Sequence, residues 1–156
     1  MRIAITREVS PSIGRCELTH LAREPIDVDL ARAQHHAYEA ALAELDCEVH
    51  SLPAAPDLPD SVFVEDVAVV VDELAIITRP GAPSRRREVL AVAEALKSYR
   101  ELVEIEPPGT LDGGDVLVME KEILVGLSTR SDARAVEQLQ GLRTRDGRPY
   151  RLLPLP

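Results

Sequence analysis

Two acids side by side, Glu65 and Asp66, stand a few residues after Asp60 in a run that also holds Val62, Phe63, Val64, Val67, Val69, Val70 and Val71. Such a run reads as a buried strand, and a carboxylate in a buried strand needs a partner. The alternative is an exposed strand start where the acids are simply solvated. A second acidic pair, Asp112 and Asp115, sits in Leu111-Asp-Gly-Gly-Asp-Val-Leu-Val-Met119. Together these acids would suit a cation, although no cation-binding loop pattern accompanies them. Basic residues follow each pair: Arg85-Arg86-Arg87 after the first, Arg130 and Arg134 after the second. A run of arginines usually marks a solvated helix face.

The elements that would position these residues repeat. With Asp66 placed over Asp115, Val67–Val71 lies over Val116–Glu120, and Leu74–Ile77 over Ile123–Gly126. Each copy is an apolar run, two polar residues and another apolar run, which signals a hairpin. Ser84 and Ser131 are candidate caps for helices reaching about Ser98 and Leu142. Strands are expected over 101–106 and 150–153, with proline-rich connectors at 53–59 and 107–109. Nearer the start, residues 2–7 and 47–52 read as strands, and Asp27 or Asp29 caps a helix to about Leu45. Repetition at this spacing indicates stacked supersecondary units, approximately 1–59, 60–108 and 109–156. Asp66 and Asp115 should then occupy equivalent places at the starts of their hairpins. The third unit would leave a face uncovered, with Val116, Leu117, Ile123 and Leu124 exposed there, so self-association through that open edge is expected.

Composition narrows the function classes. The chain has 156 residues and is 45% hydrophobic, with only 3% aromatic, so the core must be aliphatic. A formal net charge of −9 argues against nucleic acid or an anionic membrane as partner. No apolar run is long enough to span a membrane. The start, Met1-Arg-Ile-Ala-Ile-Thr, does not read as a secretory signal, and Cys16 and Cys47 are the only cysteines. Both features point to a reducing, cytoplasmic compartment.

A family resemblance rests on particular motifs. These are Leu58-Pro-Asp-Ser-Val-Phe-Val-Glu-Asp66, Thr78-Arg-Pro-Gly81, Leu111-Asp-Gly-Gly-Asp-Val116 and Val125-Gly-Leu-Ser128, with Ser10-Pro-Ser-Ile13 and Cys16-Glu-Leu-Thr-His20. In that order they resemble dimethylarginine dimethylaminohydrolase, one of the guanidine-modifying enzymes. The resemblance implies an α/β fold: an α/β-propeller of five ββαβ units, of which this chain looks like about three. It implies hydrolysis of N-omega-methylated arginine to citrulline and dimethylamine, through a covalent thiouronium on a cysteine, with no metal and no cofactor. The family's catalytic histidine and nucleophilic cysteine belong to units that this chain does not match. His20, His35, His36 and His50 do not fit the one, nor Cys16 and Cys47 the other. The 156 residues alone are therefore expected to be inactive.

The same resemblance implies roles for particular side chains. A guanidinium presents planar forked donors that match carboxylates, here those of Glu65 and Asp66 with Asp60 nearby. Arg85 and Arg130 match the arginines that hold the substrate's α-carboxylate and its surroundings. Leu18 matches the loop that closes over the substrate. Asp112 stands where the family places the acid that orients the histidine, often a longer Glu. Arginine deiminases are an alternative within the superfamily, but they favour Arg before the guanidinium-binding Asp, where this chain has Glu65. A catalytically inactive module that recruits a partner is the other alternative.

Overall fold

The computed structural model describes residues 2–19 and 21–155, so His20 of the Cys16–His20 motif lies outside the described residues. The chain forms two compact bodies, Met1–Val64 and Glu65–Pro156. In the first, β1 (Arg2–Arg7) pairs in parallel with β2 (Cys47–Leu52), from Arg2 opposite Cys47 to Arg7 opposite Leu52. Parallel strands need a crossover, and here it is α1 (Val28–Glu44). Asp27 caps α1 by accepting the amides of Asp29 and Leu30, both at 3.0 Å. Beyond its other end Asp46 adopts φ 59°, a left-handed turn that Asp tolerates better than most residues. Val28, Ala31, His35, Glu39 and Leu42 form its half-buried stripe, and Thr6 of β1 donates to Glu39 at 2.5 Å.

The second body is built twice over. One sheet has the order β3 (Ala68–Val70), β4 (Leu74–Ile77), β5 (Glu101–Glu104); the other has β6 (Val116–Met119), β7 (Glu122–Gly126), β8 (Arg151–Leu155). Each begins with an antiparallel hairpin and ends with a parallel strand reached through a helix, α2 (Val89–Leu96) or α3 (Ala133–Leu139). The first hairpin turn is the polar pair expected from the sequence, whereas the second falls one residue earlier than the expected Lys121-Glu122. Asp72-Glu73 is closed by the Val71 amide on the Leu74 carbonyl, and Glu120-Lys121 joins the paired Met119 and Glu122. Register differs between the copies. Val69 pairs with Ile76, but its counterpart Val118 pairs with Ile123 rather than with Val125. A shift of two residues preserves the faces, whereas a shift of one would have turned the apolar set to solvent. Val69, Ile76, Ile123 and Val125 accordingly share one aliphatic core with Leu111, Ala135 and Leu139.

Four expectations need correction. Glu65 and Asp66 do not start a strand: Val64–Asp66 is a 3-10 turn, and β3 begins at Ala68. Ser84 caps no long helix. It lies in a 3-10 turn, Pro83–Arg85, and α2 starts only at Val89, after Arg85 and Glu88 have turned inward. Ser131 does not cap α3 either. Asp132 does, accepting the Ala135 amide, while the Ser131 hydroxyl is used elsewhere. Finally, Ile123 is fully buried and Val116 packs against the core. Of the residues expected at an open face, Leu117 is exposed and Leu124 is half-buried. Ile123 and Leu117 alternate to opposite sides of the β6–β7 hairpin, so they cannot share an exposed face.

Candidate functional site

Of the site residues implied by the resemblance, five lie in the second body, and four of these form two ion pairs, Asp66 with Arg85 and Asp112 with Arg130. Asp66, at the end of its 3-10 turn, has both oxygens engaged. Its Oδ1 accepts the Gly114 amide at 3.1 Å and its Oδ2 accepts Nη1 of Arg85 at 2.6 Å. Gly113 makes that approach possible, since a Cβ there would lie 1.9 Å from the Glu65 carbonyl oxygen. Behind Asp66, Nε and Nη2 of Arg85 donate to Oε2 of Glu88 at 3.1 and 2.9 Å. Arg85 and Glu88 are each 2% exposed, and Asp66 is 19% exposed, so of these three only Asp66 looks outward. Burial opposes the Arg85 charge, but hydrogen bonds and attraction from Asp66 and Glu88 outweigh it and hold the guanidinium more firmly protonated. Glu65, next to Asp66, is exposed.

Asp112 is buried. Its Oδ1 accepts the Gly81 amide at 2.9 Å, and its Oδ2 lies 3.4 Å from Nη1 of Arg130, a side chain 31% exposed. Burial pushes the Asp112 carboxyl up. The Gly81 bond opposes this, the Asp66 charge adds to it, and Arg130 and Arg85 pull the other way. Gly81 itself abuts the Arg130 backbone, with only 2.4 Å between a Cβ built there and the Arg130 Cα. The loop that carries Arg130 is fastened by Asp115. Its Oδ2 accepts the hydroxyls of Ser128 at 2.8 Å and Ser131 at 2.6 Å. Ser128 Oγ accepts the Arg130 amide, and Ser131 Oγ accepts the Asp112 amide.

Asp60 and Leu18 belong to the first body. Asp60 is buried, and its carboxylate accepts the Glu17 amide at 3.1 Å from each oxygen, which ties down the loop just before the 39%-exposed Leu18. The same loop is held from its other side by Arg23, which donates to the carbonyls of Gly14 and Cys16. Sequence reasoning missed Glu88, Arg23 and the fastening role of the two serines. Glu88 had a faint signal, since a residue three after an arginine on a helical turn is placed to pair with it. Arg86 donates to the Pro80 carbonyl and Arg87 is exposed, so the arginine run divides three ways.

A family model, "N,N dimethylarginine dimethylhydrolase, eukaryotic", matches residues 20–144. The chain is 45% identical over 138 residues to an N(G),N(G)-dimethylarginine dimethylaminohydrolase of Streptomyces coelicolor, covering 88% of this chain and 54% of that protein. It is 36% identical over 131 residues to the Pseudomonas aeruginosa protein of the same name, covering 83% and 51%. The solved structure of a cysteine-to-serine variant of DDAH from Pseudomonas aeruginosa, complexed with citrulline, superposes with a TM-score of 0.90 at 32% identity. That match covers 99% of this chain and 61% of that one. The chain thus spans about half the length of the curated relatives it matches. Matched along most of its own length by the family model and by these relatives, the chain belongs to the dimethylarginine dimethylaminohydrolase family.

Proposed function

We propose that these residues form the guanidinium-binding part of a hydrolase that converts N-omega-methylated arginines to citrulline and dimethylamine. The observation that carries the reading is Asp66, a carboxylate fixed by Gly114 and Arg85 yet still partly exposed, beside the exposed Glu65. A fixed carboxylate loses little freedom when it takes a ligand's forked N–H donors, which favours binding. Arg130, half-buried against Asp112, would draw an anionic group such as an α-carboxylate with the part of its guanidinium that stays exposed. Arg85 meets the expectation of a carboxylate-holding arginine less directly, because its guanidinium serves Asp66 and Glu88. Asp112 is the acid that would orient an imidazole, and Asp60 holds the loop that leads to Leu18 within the first body.

On this reading the reaction begins when a thiolate adds to the guanidinium carbon and forms a C–S bond. The C–N bond to dimethylamine then breaks as a proton reaches the leaving nitrogen. Water next adds to the thiouronium carbon, loses a proton to a base, and releases citrulline as the C–S bond breaks. Residues 1–156 would supply binding and orientation. No cysteine or histidine among them matches the nucleophile or the base of the family. Binding substrate without stabilising the transition state leaves the chemical step slow.

The test uses the 156-residue polypeptide in two assays, calorimetric titration with N,N-dimethylarginine and a citrulline assay. Expected are measurable binding, a loss of about tenfold in affinity, equal to ~1.4 kcal/mol, on Asp66→Asn, and no citrulline above background. Affinity unchanged by Asp66→Asn would sink the binding assignment. Turnover that disappears on Cys16→Ser or Cys47→Ser would overturn the division of labour.

A further inference from the structure

We propose that Glu88 is a positioning residue that leaves Asp66 with net negative charge toward a cationic guanidinium, an inference that rests on the binding role given to Asp66 above. The Arg85 guanidinium is shared between two acids. Asp66 meets one edge of the Arg85 guanidinium through Nη1 at 2.6 Å, and Glu88 meets another through Nε and Nη2 at 3.1 and 2.9 Å. Were Arg85 and Asp66 alone, their charges would cancel, and a second guanidinium arriving at Asp66 would find a neutral pair with a cation directly behind it. Glu88 supplies the missing charge. The triad then carries one net negative charge, and its single outward member is Asp66. Burial sharpens the effect, because Arg85 and Glu88 are both 2% exposed and little screened by solvent.

Glu88 also takes two of the donors on the guanidinium fork, which leaves Arg85 angled so that one nitrogen serves Asp66. That nitrogen and the Gly114 amide hold the two Asp66 oxygens from different directions. Arg85 in this arrangement fixes Asp66 without neutralising the site. The requirement for Glu88 is therefore electrostatic as well as steric, and a glutamine of the same shape should fail to replace it.

The experiment compares two ligands of nearly equal shape, the N,N-dimethylguanidinium cation and neutral N,N-dimethylurea. Each is titrated into the 156-residue chain, with the Gly114 amide resonance followed by NMR because that amide bonds Asp66. The readout is the ratio of the two affinities, which a general loosening of the fold would not shift selectively. The wild-type chain should prefer the cation. In Glu88→Gln the preference should fall about tenfold, and in Glu88→Asp it should stay within about threefold of wild type. The double variant Arg85→Met/Glu88→Met removes the buried pair together, an exchange that buried pairs often tolerate. It should restore the preference, and it decides the matter even if Glu88→Gln fails to fold. A Glu88→Gln chain that keeps the wild-type preference, or a double variant that lacks it, overturns the role of Glu88 while the Asp66 reading stands. A wild-type chain whose Gly114 resonance responds to neither ligand overturns the Asp66 reading and this inference with it.

Discussion

The two halves of the second body place an aspartate at the same point and then use it differently. Asp66 and Asp115 each end a 3-10 turn and lead into the first strand of a hairpin. Asp115 is tied by two hydroxyls, from Ser128 and Ser131, to the loop that follows its own hairpin. Asp66 is tied instead to Arg85, beyond its hairpin, and to Gly114 of the other half. Two neutral donors make Asp115 a fastener. Asp66 instead has a charged donor that is shared with Glu88, and it stays partly exposed, as a cation site on the proposed reading requires. The backbone scaffold is common, and the difference lies in what the next loop offers.

The sharpest way to break the comparison is at the joint between the halves. Gly113→Ala puts a Cβ 1.9 Å from the Glu65 carbonyl oxygen, so backbone must move. The expected cost is about 3 kcal/mol or more by urea unfolding, in the range of severe packing strain. Gly141→Ala, with nothing within 4 Å, is the matched control and should stay within about 0.5 kcal/mol. Equal effects at the two glycines would show that the halves are not joined through this contact.

Exchanging charge for amide at the paired aspartates sharpens the contrast. Asp115→Asn weakens the acceptor for two hydroxyls and should cost about 1–3 kcal/mol of stability. The urea midpoint is the measurement, and no loss there would refute the fastening role. Asp66→Asn should show its main loss in cation affinity.

The smallest effect concerns Asp112, whose carboxyl is raised from its ordinary value chiefly by burial. The native state therefore binds more protons than the unfolded state between the ordinary and the raised value. Stability falls as pH rises through that window, and the deficit persists at neutral pH. Asp112→Asn keeps an acceptor for the Gly81 amide and removes the ionisation. Its stability relative to wild type should increase from about pH 4 upward and then level off, as read from urea midpoints across pH. A constant difference across that range would contradict the buried charge.

Much of this architecture was legible because its signals are local. Apolar runs on either side of a polar pair, Asp72-Glu73 in one copy and Lys121-Glu122 in the other, specify hairpins from neighbours in sequence alone, although the second turn falls one residue earlier, and Asp27 or Asp29 announced the start of α1. The family motifs marked Asp66 and Asp112 for the same reason. Ser84 and Ser131 misled because a hydroxyl suits a helix cap and a buried network equally well. Which of these it joins depends on distant residues.

The sequence by itself determined the repeated hairpins, the aliphatic core, the family and the pair of equivalent aspartates, since each is written in composition or in spacing along the chain. Only the tertiary structure decided that Arg85 turns inward to Asp66, that Glu88 balances it, and that Ser131 serves Asp115 and Asp112. The physical reason is that a charged side chain is buried only where its partners meet it in space, and Asp66 reaches Arg85 from 19 residues away, across the intervening β3–β4 hairpin.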